Sequence, residues 1–451
     1  MPETNIPHPE NQPSSPRKFS SAFRLLRQRE NPEIDQLEVY QKLGGFEALH
    51  KAVTGLEPGQ VTEVVKASGL RGRGGAGFPT GMKWAFIDNK NWPHYVVANA
   101  DESEPGTFKD REIMEKNPFQ FLEGVAICAY AIQARAAYIY LRGEFWQLAG
   151  QLDRKIAEMQ AAGFLGEKLF GTDYSLQIYT HLGAGAYICG EETAMLESIE
   201  GKLGQPRLRP PFPPSFGLYG KPTVVNNVET LTNVPLIVAH GAEWYRQYGT
   251  EKSPGTKVFS LSGKVVHPGN YELPLGATFR KLIYELGGGI PGNRQIKAIM
   301  AAGASSSLIV ANEEALDTPM DYESVPRLGA QLGSASVIII DDSTSIPWLI
   351  NKTAHFFKHE SCGKCTPCRE GTFWMMHLTE RIYLSARIAS GNARSEDVEL
   401  LHEVAEQVKG KCLCALGDFS TEPISSGIER FPQDFECNGT LRKSTSVQES
   451  A

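Results

Sequence analysis

Cysteine spacing near the end of the chain points to an iron–sulfur cluster. Five of the eight cysteines fall between residues 362 and 414, three as Cys362-x₂-Cys365-x₂-Cys368 and two as Cys412 and Cys414. Three thiolates at this spacing plus one remote thiolate are the ligand supply of a [4Fe–4S] cluster, whereas structural zinc usually takes two separated pairs. The spacing alone leaves Cys412 and Cys414 as alternative fourth ligands, and zinc as the alternative metal.

A second candidate site is the glycine-rich run at residues 69–84, GLRGRGGAGFPTGMKW. Glycine loses more backbone entropy on ordering than any other residue, so such a run favours a loop whose backbone must approach a ligand closely. Backbone N–H groups that point the same way form an anion site, and Arg71, Arg73 and Lys83 add positive charge beside it. The run therefore predicts binding of a phosphate-bearing nucleotide or flavin, with a flexible linker as the alternative.

The same run contains Gly72-x-Gly74-x-x-Gly77, which matches the dinucleotide-binding fingerprint. That fingerprint requires a strand before it and a helix after it. Residues 59–68 instead have the pattern of a helix. We therefore predict a phosphate-binding loop that is not part of an ordinary Rossmann fingerprint.

Acidic residues follow a short predicted strand. Residues 94–100 read as a buried strand that runs directly into Asp101, Glu102 and Glu104. Carboxylates at the end of a strand in an open α/β sheet are placed like ligand contacts, and they accept hydrogen bonds from ribose or ribityl hydroxyls. A solvated acidic turn is the alternative.

Polar residues in three later segments are further candidates. A second unit of strand, glycine loop and helix places Glu191 and Glu192 at a helix start, where they contact a sugar or only cap the helix. Asn226 and Asn227 lie between apolar residues, and buried amides of this kind suit a planar polar ring or satisfy backbone groups. The proline-rich loop 206–214 presents Arg and Phe side chains, with a polyproline docking segment as the alternative.

Composition limits the class of protein. The chain has 451 residues, of which 41% are hydrophobic and 22% charged, and this is ordinary for soluble globular domains. The net charge of −7 argues against a general nucleic-acid binder. No apolar stretch approaches the length of a membrane span, and the start of the chain lacks the apolar core of a secretory signal.

The order of predicted elements changes twice along the chain. Residues 34–68 and the strand–helix alternation up to about 250 indicate an α/β region. Residues 257–310 then predict the order strand, strand, helix, strand of a small β-grasp-like domain, which a strand at 335–340 completes. Helical patterns at 346–359, 373–389, 395–408 and 422–430 predict a helical bundle around the cysteines.

With these motifs in hand, the chain resembles the NADH-binding flavoprotein subunit of respiratory complex I, the NADH–quinone oxidoreductase. The resemblance covers about residues 36–435. It rests on six motifs in order: Gly69–Trp84, Asn99–Thr107, Gly183–Glu192, Pro210–Pro213, Val225–Thr230 and the Cys362/Cys365/Cys368 run.

The resemblance implies an α/β fold with three parts: a Rossmann-like FMN/NADH domain, a β-grasp-like domain of the SLBB type and a C-terminal helical bundle carrying the cluster. The expected divisions are a flexible N-terminal tail at 1–33, the FMN- and NADH-binding domain at 34–250, the SLBB domain at 251–340, the helical [4Fe–4S] domain at 341–437 and a flexible C-terminal tail at 438–451. Cys437 is expected to be free.

The resemblance also implies the site residues. FMN is expected to contact Gly72, Arg73, Gly74, Gly75, Lys83, Asn99, Asp101, Glu102, Gly190, Glu191, Asn226, Asn227 and Thr230. NADH is expected over the flavin, near Phe78, Phe86, Glu104, Glu192, Arg209 and Phe212. The family often has lysine where this chain has Arg209, which exchanges a point donor for a planar fork. The family's fourth cluster ligand precedes Ala-Leu-Gly-Asp, which selects Cys414.

The implied function is hydride transfer from NADH to FMN and single-electron transfer to a [4Fe–4S] cluster, with no catalytic acid or base from the protein. Implied partners are a thioredoxin-like [2Fe–2S] subunit and a large iron–sulfur subunit. The implied place is the peripheral arm on the cytoplasmic side of the inner membrane, or the matrix side in a mitochondrion.

Two alternative functions remain for the chain. The first is the diaphorase subunit of an NAD-linked hydrogenase or formate dehydrogenase, whose members often carry extra ferredoxin-like or thioredoxin-like domains. None is expected here, which favours the complex I subunit. The second is a non-catalytic, zinc-containing scaffold that binds nucleotide.

Overall fold

The structure is a computed structural model that describes residues 23–388 and 394–435. Cys437 and the C-terminal segment 438–451 lie outside the described residues, as does most of the expected N-terminal tail. Within the described ranges, no helix is both long enough and apolar enough to cross a bilayer.

A four-stranded parallel sheet forms the centre of the first part. Its strands run in the spatial order β3-β2-β1-β4 and are β1 (Tyr95–Ala100), β2 (Ala136–Leu141), β3 (Gln177–Leu182) and β4 (Thr223–Asn227). Parallel strands all end at the same edge of a sheet, so residues that follow β1 and β4 meet there. This sheet confirms the α/β, Rossmann-like class.

Helices surround this sheet on both sides. They are α1 (Leu37–Lys42), α2 (Glu47–Gly55), α3 (Pro58–Ser68), α4 (Thr80–Ala85), α5 (Lys109–Lys116), α6 (Pro118–Ala131), α7 (Trp146–Ala161), α8 (Glu192–Ile199), α9 (Val228–His240) and α10 (Ala242–Tyr245). Helix α6 is buried along its whole length and packs on α9. The sequence patterns did not predict α9, which contains Pro235, a residue that ordinarily ends a helix.

The glycine-rich run follows a helix, as predicted. Helix α3 begins with Pro58 and a capping box between Glu57 and Gln60, and it ends at Gly69, which has φ of 70°. This left-handed conformation suits glycine and turns the chain into the loop. The dinucleotide fingerprint therefore lacks its preceding strand, which confirms the expectation from the sequence.

A second, mixed sheet of five strands follows. Its strands lie in the order β6-β5-β9-β7-β8 and are β5 (Thr256–Gly263), β6 (Gly269–Pro274), β7 (Ile296–Met300), β8 (Leu308–Val310) and β9 (Ser336–Asp341). The predicted helix at 279–286 is a π-helical segment, Lys281–Leu286, and a short helix α11 (Glu313–Asp317) lies between β8 and β9. The predicted order of strand, strand, helix, strand is present.

The C-terminal part is the expected helical bundle. Its helices are α12 (Ile346–Glu360), α13 (Thr366–Ile388), α14 (Ser395–Val408) and α15 (Leu416–Arg430). Helix α13 begins seven residues earlier than the apolar pattern indicated, so Cys368 lies in its first turn. Helix α15 likewise begins at Leu416, directly after the late cysteine pair.

Residues 23–33 do not form the flexible tail that we expected up to residue 33. Leu25 and Leu26 are fully buried, and their backbone N–H groups each donate to the Glu272 carboxylate at 3.0 Å. The side-chain amide of Asn117 donates to the Leu25 carbonyl at 2.9 Å. Glu272 lies on β6 and Asn117 precedes α6, so this segment fastens the first part of the chain to the second sheet.

Candidate functional site

A cavity of about 530 Å³ lies at the carboxyl edge of the first sheet. This volume is typical of small-molecule sites. All three parts of the chain contribute to its wall, including the second sheet through residues 302–305 and 331–334 and the helical bundle through residues 414–419. Of the predicted site residues, the wall contains Gly74, Gly75, Asn99, Asp101, Glu102, Glu104, Gly190, Glu191 and Asn227.

The remaining predicted residues lie outside this wall. They are Gly72, Arg73, Lys83, Phe78, Phe86, Glu192, Arg209, Phe212, Asn226 and Thr230. Two of them have clear structural roles. The Asn226 side-chain oxygen accepts from the Trp84 indole at 2.8 Å, and the Thr230 hydroxyl accepts from the Arg73 backbone N–H at 2.8 Å.

The glycine loop approaches the first sheet closely. A Cβ at position 74 would lie 3.0 Å from the Cβ of Asn227, so a side chain at this position would press on Asn227. A Cβ at position 75 would meet no atom within 4 Å and would project into open space along the cavity wall. The loop therefore presents backbone without side chains at the cavity wall, and its contact with a ligand stays a prediction.

Two basic side chains of the glycine loop, Arg73 and Arg71, bond to other parts of the protein. The Arg73 guanidinium is fully buried and donates to the Tyr245 hydroxyl at 3.0 Å and the Pro254 carbonyl at 2.8 Å. Arg71 pairs with Glu323. Both side chains thus have partners within the protein, but the Nε and Nη1 atoms of Arg73 are buried without a hydrogen-bond partner among the described residues. That Arg71 and Arg73 place charge beside a ligand phosphate stays a prediction.

The three carboxylates that follow β1 have different hydrogen-bond partners. Glu102 accepts from the backbone N–H groups of Asp110 and Arg111 at 2.7 and 3.0 Å, so it caps α5. Glu104 accepts from Ser305. The Asp101 carboxylate accepts a hydrogen bond from the hydroxyl of nearby Ser103, and Asp101 lines the cavity. Burial raises the pKa of Asp101 and the pKa of Glu102 to about 7, and it raises the pKa of Glu104 above its ordinary value.

Glu191 combines the two roles between which the sequence could not decide. Its Oε2 accepts from the backbone N–H groups of Thr193 and Ala194 at 3.0 and 2.9 Å, which caps α8. Its Oε1 is buried without a hydrogen-bond partner, and the nearest cation, Arg209, is 3.8 Å away. A buried carboxylate oxygen without a partner at a cavity wall is suited to accept a hydrogen bond from a ligand hydroxyl.

The residues predicted to contact NADH include exposed aromatic rings and a group of charged side chains. Phe78, Phe86 and Phe212 have exposed fractions of 47%, 53% and 55%, and the first two rings are 6.3 Å apart. Glu192 lies between two cations, 3.0 Å from Lys83 and 3.7 Å from Arg209. Exposed rings can stack on the bases of a ligand, and charged groups can bond its polar sugars.

Four thiols line a second, smaller cavity, those of Cys362, Cys365, Cys368 and Cys414. Cys412 is not part of its wall, and its Sγ lies 3.5 Å from the Val408 carbonyl. Burial raises the pKa of the Cys368 thiol to about 11 and the pKa of the Cys414 thiol to about 12, so ligation requires a metal that displaces their protons.

The donor set fits a polynuclear cluster. Among the described residues, no three His, Cys, Asp or Glu side chains converge closely enough to hold a metal ion. An iron–sulfur cluster instead gives each thiolate its own iron, so the four thiols need only surround a common space. Ile188, Cys414 and Leu416 line both cavities, so the two spaces are separated by side chains that they share.

A buried ionic cluster beneath the first cavity was not predicted. Lys109 and Glu229 are fully buried and lie 2.8 Å apart, and Lys109 is also 2.8 Å from Asp110. Asp110 in turn accepts from the Asn227 side chain at 2.7 Å. No local pattern marks these residues, because Lys109 and Glu229 are far apart in sequence and each alone reads as an ordinary surface charge.

Comparisons with known proteins agree on one family. The chain matches the Nuo51 FMN-binding domain over residues 65–236, the SLBB domain over 258–305 and the NADH-ubiquinone oxidoreductase-F iron–sulfur binding region over 348–438. The NADH-quinone oxidoreductase-F protein of Mycobacterium tuberculosis is 47% identical over 91% of this chain and 92% of its own length. The corresponding Aquifex aeolicus protein is 44% identical over 94% of this chain and 96% of its own length.

A solved structure is also similar. A chain of NAD⁺-reducing [NiFe]-hydrogenase in the H₂-reduced state is 39% identical, with a TM-score of 0.75. The match covers 84% of this chain but only 62% of the hydrogenase chain.

Proposed function

The chain belongs to the NADH-quinone oxidoreductase-F family. We propose which of its residues bind FMN, NADH and the iron–sulfur cluster in this NADH dehydrogenase. When bound, FMN accepts a hydride from NADH, and the [4Fe–4S] cluster accepts the electrons one at a time. The observation that best supports this function is the pair of adjacent cavities, one with sugar-binding carboxylates and bare glycine backbone, the other with four thiols.

We assign the larger cavity to FMN. Gly74 and Gly75 present backbone, Asp101 and the free oxygen of Glu191 accept hydrogen bonds from ribityl hydroxyls, and Asn227 supplies an amide. The other residues proposed for FMN act mainly as its support: Gly72, Arg73, Lys83, Asn99, Glu102, Gly190, Asn226 and Thr230. In this assignment the protein aligns the flavin and excludes water, and no side chain acts as an acid or base in the hydride step.

NADH is proposed to lie at the mouth of the same cavity. Phe78, Phe86 and Phe212 are exposed rings on which a base can stack, and Arg209 supplies a planar cation. Glu192, together with Glu104, is placed to hold sugar hydroxyls and to repel an additional phosphate.

The cluster is proposed to bind Cys362, Cys365, Cys368 and Cys414. The shared residues Ile188 and Leu416 then keep water out of the space between cluster and flavin. The proposed domains follow the same division, with residues 34–250 for FMN and NADH, 251–340 for the SLBB domain and 341–437 for the cluster.

This chain is a subunit of an NADH-quinone oxidoreductase-type complex. We propose as its direct partners a thioredoxin-like [2Fe–2S] subunit and a large iron–sulfur subunit, in a peripheral arm on the cytoplasmic or matrix side of the membrane. The similarity to a hydrogenase chain supports the diaphorase subunit as the second candidate. Purification of the native complex separates the two, because only one contains a nickel–iron subunit.

The central experiment is spectroscopy of the purified chain together with an NADH–ferricyanide assay. We expect flavin bands, iron–sulfur absorption and rapid ferricyanide reduction by NADH. A colourless protein that contains zinc and lacks this activity would contradict the proposed function and favour the nucleotide-binding scaffold.

Affinity for FMN should increase as the pH rises from 6 to 8, by up to about tenfold. Because the pKa of Asp101 is about 7, its carboxyl is largely protonated at pH 6 and ionised at pH 8, and the ionised form is the better acceptor for ribityl hydroxyls. Fluorescence titration of the deflavinated chain measures the change. Asp101→Asn should remove most of it, and an undiminished pH dependence in that variant would assign the effect to Glu102 instead.

Neutralising Glu192 should narrow the preference for NADH over NADPH by about tenfold in kcat/KM. In Glu192→Gln, Lys83 and Arg209 lose the carboxylate between them, so that both become available to the 2′-phosphate. Steady-state kinetics with both nucleotides measure the ratio. Glu197→Gln is the matched control on α8, since Glu197 pairs with Arg207 instead, and its ratio should stay at the wild-type value. A wild-type ratio in Glu192→Gln would exclude this role.

A further inference from the structure

The part of the chain that contains the second sheet donates two hydrogen bonds to backbone carbonyls of the glycine loop. The Lys257 ammonium, on β5, donates to the Arg73 carbonyl at 2.8 Å. The Tyr322 hydroxyl, between α11 and β9, donates to the Gly72 carbonyl at 2.8 Å. Two consecutive carbonyls of the loop are therefore bonded to residues that lie about 180 and 250 positions further along the chain.

These bonds determine where the next N–H group points. In a trans peptide the carbonyl and the following N–H point in opposite directions. Because the Arg73 carbonyl points toward Lys257, the N–H of Gly74 points away from Lys257, and Gly74 lies in the wall of the larger cavity. The Arg73 N–H itself is bound to the Thr230 hydroxyl, which fixes the preceding peptide as well.

Lys257 is an unusual residue for a purely structural role. It is fully buried, and its nearest carboxylate oxygen is Glu229 Oε2 at 3.7 Å, which Lys109 already approaches to 2.8 Å. Burial lowers the pKa of Lys257 to about 7, against the attraction of Glu229. Lysine is rarely buried in this way unless its ammonium is paired, and within the part of the chain that the structure describes this ammonium donates to the loop.

We propose that Lys257 is a positioning residue for the flavin: by holding the Arg73 carbonyl, it directs the Gly74 N–H into the FMN cavity, with Tyr322 as its helper at Gly72. This inference rests on the proposed FMN site. It makes the second sheet a part of the flavin-binding apparatus, because β5 is bonded to α9 through the Val258 N–H and the Glu229 carboxylate, and this contact brings Lys257 to the loop. Its ammonium also polarises the peptide and strengthens Gly74 as a donor.

The test compares FMN binding and flavin midpoint potential in the holoprotein and in variants of it. Lys257→Met removes the donor at similar size, and we expect at least about tenfold weaker FMN binding and a changed flavin midpoint potential, since the Gly74 N–H is no longer held toward the flavin. Lys257→Gln keeps an N–H donor and should recover most of the affinity. Lys264→Met, at an exposed lysine just after β5, is the matched control and should behave as wild type.

Several results would overturn the inference. Lys257→Met with wild-type FMN affinity and potential, whatever its thermal stability, would leave Lys257 a purely structural residue. If Lys257→Met does not fold, Tyr322→Phe decides: the inference requires weaker FMN binding in this near-isosteric variant, and unchanged binding contradicts it. Wild-type protein that binds no FMN at all would instead refute the proposed function itself, so the two failures are distinguishable.

Discussion

Cys414→Ala is expected to abolish assembly of the [4Fe–4S] cluster, whereas Cys412→Ala should leave the cluster in place. The two cysteines are separated by one residue, and their spacing from the Cys362 run does not distinguish them. The structure separates them by position, because Cys414 lines the small cavity with the other three thiols and Cys412 does not. The Cys412 thiol lies beside Cys365, outside the wall of that cavity, and its Sγ is 3.5 Å from the Val408 carbonyl.

Iron and sulfide content, with electron paramagnetic resonance of the reduced protein, measures this difference. In Cys414→Ala, iron should fall to background and the signal of the reduced cluster should disappear, since three thiolates leave one iron without a protein ligand. FMN content should be retained, because the rest of the flavin cavity wall is intact. The opposite pattern, with the cluster lost in Cys412→Ala and kept in Cys414→Ala, would require a different arrangement of residues 409–416.

Lys109→Met should lower the free energy of unfolding by about 3–5 kcal/mol at neutral pH. The variant leaves Glu229 and Asp110 buried without their closest cation, and each is 2.8 Å from the Lys109 ammonium in the native protein. Exposed Lys116, on the same helix, provides the control, and Lys116→Met should stay within about 0.5 kcal/mol of wild type. Urea unfolding followed by circular dichroism compares the three proteins.

The same network predicts the direction of a pH effect. Burial alone would raise the pKa of Glu229, but Lys109, Lys257 and Arg73 hold it below its ordinary value. An acid whose pKa is lowered by folding stabilises the protein above its unfolded pKa and loses that contribution as the pH falls. We therefore expect the difference between wild type and Lys109→Met to shrink below about pH 4.5. A difference that is constant from pH 4 to 8 would show that lost packing, rather than charge, causes the destabilisation.

Local patterns predicted the parts of the site that depend on a few neighbouring residues. Glycine spacing marked the loop around Gly74, and cysteine spacing marked three of four thiols, because both features follow from backbone freedom and ligand chemistry alone. Strands β1 and β5 were predicted from their apolar, β-branched runs. The Asp101 segment was found because acidic residues followed one of these strands.

Two site residues were misread from the sequence, one because of distant partners and one because a nearby helix was not predicted. Glu102 looked like its neighbour Asp101, yet it caps α5, a helix that the patterns did not predict. Arg73 looked like a phosphate ligand, yet its Nη2 donates to the Tyr245 hydroxyl and the Pro254 carbonyl. The partners of Arg73 are distant in sequence, so no short window contains them. Those of Glu102 are near in sequence, but they belong to a helix whose pattern was not recognised.

The bonds from Arg24, Leu25 and Leu26 to Glu272 have a consequence for biosynthesis. The acceptor carboxylate lies 246 to 248 residues after its donors, so these residues leave the ribosome long before their partner is made. At ordinary elongation rates this delay is on the order of 10–50 s. During that time the backbone N–H groups of Leu25 and Leu26 lack the carboxylate that they bond in the native protein, although the core residues around their side chains are synthesised earlier. A segment synthesised early in this protein thus completes its native hydrogen bonds late.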